Sequence, residues 1–159
     1  PLPVGCTYEQ YEDLYDEALV AAREQDGVEV AAFGDLFLEE VRAYRMRQAA
    51  RAGLEPCFPL FGSDTHALAR EMIDAGTRAH LTCVQPELCP AEFVGRVWDH
   101  TLLRELPASV DPCGERGEFH TFVSAGPALH ESLAVQVGEV VERDGVVFAD
   151  LIESSREDA

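Results

Sequence analysis

Hydrophobic and polar positions change their period several times along this chain, and each change predicts a new element. Within residues 7–26 the apolar side chains recur at helical spacing, and Thr7 and Gln10 stand in the positions of a capping box. Residues 28–35, VEVAAFGD, form a short apolar run that is typical of a buried strand. Residues 36–53, LFLEEVRAYRMRQAARAG, return to helical spacing and end in a glycine, which predicts a second helix.

The middle of the chain continues this alternation. Residues 54–62, LEPCFPLFG, are interrupted by prolines and predict a brief extended segment. Residues 63–76 predict a helix capped by Ser63 or Asp64, and residues 79–85, AHLTCVQ, predict another buried strand. Alternating helices and strands of this kind favour an α/β layer around a mostly parallel sheet.

After residue 86 the pattern changes. Residues 89–106, CPAEFVGRVWDHTLLREL, predict one further helix. The last part of the chain contains two strand-like runs joined by ERDG, where Asp144 and Gly145 predict the turn of a β-hairpin. We therefore predict a boundary near residue 86, with an α/β region before it and a smaller α+β region after it.

The charged residues of this chain exclude several classes of function. The chain has 30 acidic residues against 12 basic ones, a net charge of -18, and every basic residue is an arginine. The absence of lysine excludes a Schiff-base lysine and a lysine-dependent phosphate loop within these residues. An acidic surface repels nucleic acid and anionic membranes, so we predict neither as a partner. Five cysteines without a CxxC pair argue against a zinc ribbon and favour a reducing, cytoplasmic location.

Two groups of polar residues lie near the second helix. Asp35 directly follows a predicted strand, where ligands of parallel sheets bind, and Gly34 lets the backbone approach a ligand. The alternative is that Asp35 only caps the helix that follows it. Arg42, Arg45 and Arg47 cluster on that helix, where they pair either with phosphate or with neighbouring glutamates.

The sequence DPCGERGEFHTF, residues 111–122, fits neither a helix nor a linker. Gly114 and Gly117 free the backbone to bend, and such bends can present successive N–H groups as an anion-binding nest. If residues 118–121 are extended, Glu118 and His120 project to the same face and can act as a general base pair or ligate a metal ion. Two ligands do not make a metal site, so we predict none. A glycine turn before a half-buried strand is the alternative.

Three segments together resemble the diphthine–ammonia ligase family, also described as ATP-pyrophosphatase or adenine nucleotide alpha-hydrolase-like proteins. They are VEVAAFGDLFLEEVRAYR, GLEPCFPLFGSDTHALAREMIDAG and VDPCGERGEFHTFVSAGP. The resemblance implies that residues 1–85 are the C-terminal part of a HUP-type, Rossmann-like nucleotide-binding domain and residues 86–159 a substrate-side domain. It also implies that ATP with Mg²⁺ activates a carboxylate as an acyl-adenylate, which ammonia converts into an amide.

The resemblance assigns residues to two sides of that reaction. On the nucleotide side it places Gly34, Asp35 and Arg45. On the substrate side it places the catalytic candidates Glu115, Glu118, His120 and Thr121, in a loop with Gly114 and Gly117 that lines a pocket between the domains. The partners it implies are a nucleotide and a carboxylate-bearing substrate.

One departure from the family pattern is as informative as the match. Family members begin with a strand leading into a Ser-Gly-Gly-Lys-Asp-Ser phosphate loop, and a chain without lysine has no such loop. We therefore expect a missing N-terminal segment or a homo-oligomer, and incomplete ATP activation by these residues alone. Two other functions stay open: a non-catalytic binding or assembly module, and a metal-dependent hydrolase that uses Glu118 and His120.

Overall fold

The computed structural model describes residue 3 and residues 5–154, and the chain divides into two compact units, Pro1–Ser63 and Asp64–Ala159. The division lies earlier in the chain than the boundary near residue 86 that the sequence predicts. The reason is strand pairing, because the strand predicted over residues 79–85 pairs with two later strands and belongs to the second unit.

The described residues of the first unit form two helices and two strands: α1 (Tyr8–Asp26), β1 (Val30–Ala32), α2 (Glu39–Ala52) and β2 (Glu55–Cys57). The strands β1 and β2 pair in parallel, with Val30 opposite Glu55 and Ala32 opposite Cys57. Helices α1 and α2 contact each other. A small core of Phe33, Ala49, Ala52 and Leu54 holds these elements together, and the Phe33 ring stacks on Phe58 at 5.3 Å between centroids.

Local signals explain where the helices of the first unit begin and end. The predicted capping box is confirmed, since the Thr7 hydroxyl accepts from the Gln10 N–H and the Gln10 side chain accepts from the Thr7 N–H. Gly27 and Gly53 end the two helices in the left-handed conformation, with φ of 69° and 72°. Helix α2 begins three residues later than its sequence pattern suggests, with Leu38 at its N-cap.

As far as residue 154 the second unit contains two α-helices and four strands: α3 (Thr65–Asp74), β3 (Arg78–Val84), α4 (His100–Glu105), β4 (Phe119–Ala125), β5 (Val135–Arg143) and β6 (Val146–Glu153). Its sheet has the order β4-β3-β6-β5, and every pairing in it is antiparallel. The α/β class is confirmed, while parallel pairing among the described strands is limited to β1 and β2.

The single helix predicted over residues 89–106 is wrong. The chain forms a 3-10 turn at Ala91–Phe93 and then helix α4, which Asp99 caps. Between them the backbone pairs with β3: the Gly95 N–H donates to the Leu81 carbonyl at 2.7 Å and the Trp98 N–H to the Ala79 carbonyl at 2.8 Å. Gly95 has a φ of 79°, so the helical spacing of the apolar residues is broken by a residue that leaves the helical conformation.

The predicted hairpin is confirmed. Asp144 and Gly145 both adopt positive φ, 52° and 78°, as a two-residue turn of the favoured hand requires, and the turn joins β5 to β6. The core of this unit contains Leu81, Val84, Phe93, Trp98, Leu102 and Phe119. In the part of the chain that the structure describes, no helix is long and apolar enough to cross a membrane.

Candidate functional site

A buried glutamate organises the loop over residues 111–118. The Glu118 side chain is 2% exposed. Its Oε1 accepts a hydrogen bond from the Asp111 N–H at 2.9 Å, and its Oε2 accepts one from the Arg116 N–H at 2.8 Å. The carboxylate therefore joins the beginning of the loop to its end.

A second buried carboxylate holds the other half of the loop. Asp111 Oδ1 accepts from the Cys113 N–H at 2.9 Å, and Oδ2 accepts from the Thr65 hydroxyl at 2.7 Å. The Cys113 thiol donates to the Thr65 carbonyl, and the Trp98 indole N–H donates to the Pro112 carbonyl at 2.8 Å. Asp111 and Thr65 are not among the candidate residues that the sequence pattern indicates, although Asp111-Pro112 followed by Gly114 is a turn signal that favours an Asx turn.

The two glycines of the loop turn its backbone back on itself. Gly114 and Gly117 have φ of 70° and 83°. Their N–H groups donate to the carbonyls of Asp111 and Gly114, at 3.0 and 3.1 Å. The N–H groups of Cys113 and Glu115 donate to the Asp111 carboxylate, and the N–H group of Arg116 donates to the Glu118 carboxylate. These five backbone N–H groups are therefore all hydrogen-bonded within the loop. The prediction of a nest presented to an added anion is therefore wrong.

The structure separates Glu118 from His120. Glu118 lies in a bend before β4 and is buried, whereas His120 is the second residue of β4 and is exposed, opposite Cys83. The two side chains do not share the exposed face that an extended run would give them. Thr121 is also exposed, and Glu115 is half-buried. Among the described residues, no three His, Cys, Asp or Glu side chains converge to hold a metal ion.

In the first unit Asp35 follows the end of β1 and lies outside helix α2. The N-cap of that helix is Leu38, so the alternative role of Asp35 as its cap is wrong. The Asp35 Oδ2 atom is buried and has no hydrogen-bond partner among the described residues. An added side-chain atom at Gly34 would meet nothing within 4 Å, which leaves the backbone beside Asp35 open.

Arg45 is enclosed by aromatic rings. Its guanidinium carbon lies 5.5 Å from the ring centroid of Tyr15, 5.6 Å from Phe33 and 5.8 Å from Tyr44. It donates to Gln48 Oε1 at 3.2 Å, and its buried Nε has no partner in the described chain. The Gln48 side-chain NH₂ donates to the Tyr44 hydroxyl at 2.7 Å, and burial raises the pKa of that hydroxyl.

Arg42 has a similar setting one turn earlier. Its guanidinium lies 4.5 Å from the centroid of Phe61 and 5.5 Å from that of Phe58, and Nη1 is 3.7 Å from the Glu39 carboxylate. Its Nε is also buried without a partner among the described residues. Arg47 is exposed. The predicted arginine cluster thus consists of two cations held on aromatic rings and one that faces solvent.

Comparison with known proteins shows the family of this chain. Residues 64–151 match the family model of the diphthamide synthase C-terminal domain. This chain belongs to the diphthamide synthase family. Curated relatives described as diphthine–ammonia ligase are 30% identical in Homo sapiens, 29% in Bos taurus and 28% in Danio rerio. These alignments cover 91%, 94% and 89% of this chain but 55%, 57% and 57% of the relatives.

This diphthamide synthase family member spans about half the length of the curated relatives it matches. The loop over residues 111–118 lies inside the matched domain, and Asp35 and Arg45 lie before it. The resemblance inferred from three short segments is thereby confirmed. The roles that the resemblance assigns to individual residues stay predictions.

The loop's cysteine gives a first testable prediction. Burial, helped by Asp111, raises the pKa of the Cys113 thiol to about 12, and burial raises that of Cys89 to about 11. Since the thiolate is the reactive form, both thiols are expected to resist alkylation by iodoacetamide at pH 8, whereas exposed Cys57 reacts readily. Peptide mass spectrometry after timed labelling measures this. Rapid labelling of folded Cys113 would show that the loop opens; labelling in urea supplies the control.

Proposed function

We propose that this chain is the C-terminal part of an ATP-dependent ligase that forms an amide from ammonia and a carboxylate-bearing substrate. The observation that carries the proposal is the family match together with the alignment to diphthine–ammonia ligases over nearly all of this chain. In this reaction ATP transfers AMP to the substrate carboxylate and releases pyrophosphate. Ammonia then attacks the acyl carbon and AMP leaves.

The polar atoms of the first unit support a nucleotide contact. Asp35 offers a buried acceptor atom that has no hydrogen-bond partner among the described residues. Arg42 and Arg45 each offer a buried Nε donor that likewise has no hydrogen-bond partner there. Guanidinium groups match the geometry of phosphate oxygens, and a carboxylate matches ribose hydroxyls or a base amine. This donor and acceptor set fits ATP, with Gly34 leaving space beside Asp35. It supplies no phosphate loop, because the chain has no lysine.

The polar groups of the second unit support a separate substrate contact. His120 and Thr121 are exposed on β4, directly after the loop that Asp111 and Glu118 hold in shape. An imidazole can take the proton that ammonia loses when it attacks the acyl group. In this proposal Glu118 is a positioning residue, since both its oxygens are bonded to loop N–H groups. His120, Thr121 and Glu115 contact the substrate.

Isothermal titration with Mg-ATP tests the nucleotide side. We expect weak or no binding to this chain and clear binding to a version extended upstream in its reading frame. In the extended version, Arg45→Gln should weaken binding about tenfold, because a charge-assisted phosphate contact contributes about 1.5 kcal/mol or more.

The matched control is Arg47→Gln, which removes the same charge from the exposed side of the same helix and should leave the affinity within about twofold. If the extended protein does not bind ATP at all, the ligase proposal is wrong. If both variants weaken binding equally, the effect is one of net charge and Arg45 makes no specific contact.

An assembly module is the second candidate function. In the described residues β1 and β2 pair only with each other, so both outer edges of this two-stranded sheet have no strand partner, and Val30 on β1 is 48% exposed. Open strand edges invite pairing with another chain. Light scattering distinguishes the candidates: stable self-association without ATP binding in the extended protein favours assembly, and a monomer counts against it.

A further inference from the structure

The outer edge of the sheet in the second unit is formed by β5, Val135–Arg143. Since the strand order is β4-β3-β6-β5, one side of β5 pairs with β6, and its other side has no strand partner in the part of the chain that the structure describes. The pairing with β6 is irregular between Val137 and Val140 and regular from Val140 to Arg143. Val137 and Val140 are 44% and 50% exposed. An open edge with exposed apolar side chains can accept a strand from another chain.

Two opposite charges lie on this open strand. Glu139 and Arg143 are both exposed, and neither forms a hydrogen bond or ion pair through its side chain among the described residues. With Val141 between them, they follow one another at two-residue intervals, so strand alternation places all three side chains on one face of the sheet. A charge on an edge strand normally opposes pairing with another chain. Unlike charges at equal distances from Val141 favour pairing instead, provided that the second strand brings the same charges in the opposite order.

A second copy of the same strand meets that requirement. When two copies of β5 run antiparallel about a twofold axis at Val141, Glu139 of each copy lies opposite Arg143 of the other. Opposite charges in directly facing cross-strand pairs stabilise a sheet, and like charges destabilise it. A shift of one residue that brings Glu139 opposite Glu142 of the second copy would replace both attractions by repulsions. The other edge strand of this sheet, β4, contains no Asp, Glu or Arg and offers no such complementarity.

We propose that two copies of this chain associate reversibly through antiparallel pairing of residues 139–143 of β5. The pairing joins the antiparallel sheets of both copies into one continuous sheet, and the symmetric contacts between Glu139 and Arg143 set its register. This edge belongs to the second unit and is distinct from the edges of β1 and β2. It needs neither ATP nor an upstream segment, so its failure and the failure of the ligase proposal are separate results.

Sedimentation velocity of the whole chain over a range of concentrations at constant ionic strength measures this association. We expect a reversible equilibrium between monomer and dimer. Glu139→Arg and Arg143→Glu each bring like charges together on both sides of the axis, and each should weaken dimerisation at least about tenfold. An equimolar mixture of these variants should form a dimer again, because every arginine in the mixed pair then faces a glutamate. Glu139→Arg also makes the chain less negative, so general charge repulsion alone predicts stronger association for this variant.

The matched control is Glu142→Arg, which makes the same charge change at an exposed position of β5 that faces Val140 of the second copy. It should leave the dimerisation constant within about threefold. Within one copy the Glu139 side chain makes no hydrogen bond or ion pair with the described residues, so its substitution acts on association and not on the stability of the monomer. Trp98 fluorescence should therefore be native in every variant.

Loss of dimer in both single variants and its recovery in their mixture support the proposal. A chain that stays monomeric at every concentration would overturn it, as would loss without recovery in the mixture. Stronger association of Glu139→Arg would show that net charge governs the association. Association that neither variant weakens would assign the contact to another surface, such as the edges of β1 and β2. Either of these results overturns the pairing through β5.

Discussion

Glu118→Ala is expected to lower the free energy of unfolding of the second unit by about 3 kcal/mol. The substitution removes the acceptor of the Asp111 and Arg116 N–H groups. Because Asp111 is buried, its N–H cannot form a hydrogen bond with water instead. Hydrogen bonds to a charged acceptor contribute about 1.5–3 kcal/mol each, and an unsatisfied buried donor adds to the loss. Urea unfolding followed by Trp98 fluorescence measures it, because Trp98 is the only tryptophan and bonds to Pro112 in the loop.

Two further variants make that result specific. Glu118→Gln keeps one acceptor oxygen and directs an NH₂ group at the other N–H, so we expect a loss of about 1–2 kcal/mol. Glu139→Ala removes an exposed glutamate of β5 and should change the stability by less than about 0.5 kcal/mol. Similar losses for Glu118→Ala and Glu139→Ala would show that the carboxylate does not hold the loop.

Gly114→Ala is expected to destabilise the same unit by about 3 kcal/mol or more. A side-chain atom at this position would lie 2.8 Å from the Phe119 carbonyl oxygen and 3.1 Å from its ring. The carbonyl belongs to the backbone at the start of β4 and cannot move aside without breaking the strand. The φ of 70° adds about 1 kcal/mol of strain for any residue with a side chain. Trp98 fluorescence in urea again reports the transition.

Gly117→Ala separates strain from packing. Gly117 has a φ of 83° but nothing lies within 4 Å of an added side-chain atom. Only the strain of the left-handed conformation applies, so a loss of about 1–2 kcal/mol is expected. If the two glycine variants lose the same free energy of unfolding, the close approach to Phe119 does not contribute to the destabilisation.

The features that the sequence predicted well are those that depend on only a few neighbouring residues. The capping box of Thr7 and Gln10 and the Asp144-Gly145 turn each depend on local hydrogen bonds or backbone angles, and both are confirmed. Asp64, one of two suggested caps for α3, accepts from the Ala67 N–H at 2.7 Å. Signals of this kind need no knowledge of the tertiary fold.

Strand direction and pairing could not be predicted in the same way. The apolar run of β3 is compatible with parallel or antiparallel partners, and its neighbours β4 and β6 come much later in the chain. Likewise, the apolar spacing of residues 89–106 indicates a helix until Gly95 and Trp98 pair with β3. Hydrogen bonds between residues distant in sequence determine the structure of these segments. The local pattern of apolar residues carries no information about those bonds.

The same limit applies to the candidate site. The sequence placed Gly114, Gly117 and Glu118 in one special loop, which is confirmed as a turn with two positive φ values. It could not show that Glu118 turns inward, because that depends on Asp111 and, through it, on Thr65, 46 residues away from Asp111. On the first unit, the stacking of Arg42 on Phe61 likewise depends on packing of residues distant in sequence.

The internal hydrogen bonds of the loop over residues 111–118 have a consequence for molecular recognition. Ordering a free loop on binding costs about 1–2 kcal/mol of conformational entropy per residue. Here Asp111 and Glu118 order the backbone when the chain folds. A molecule that contacts His120 or Thr121 therefore meets a surface whose shape is already set, and its binding free energy is not reduced by loop ordering.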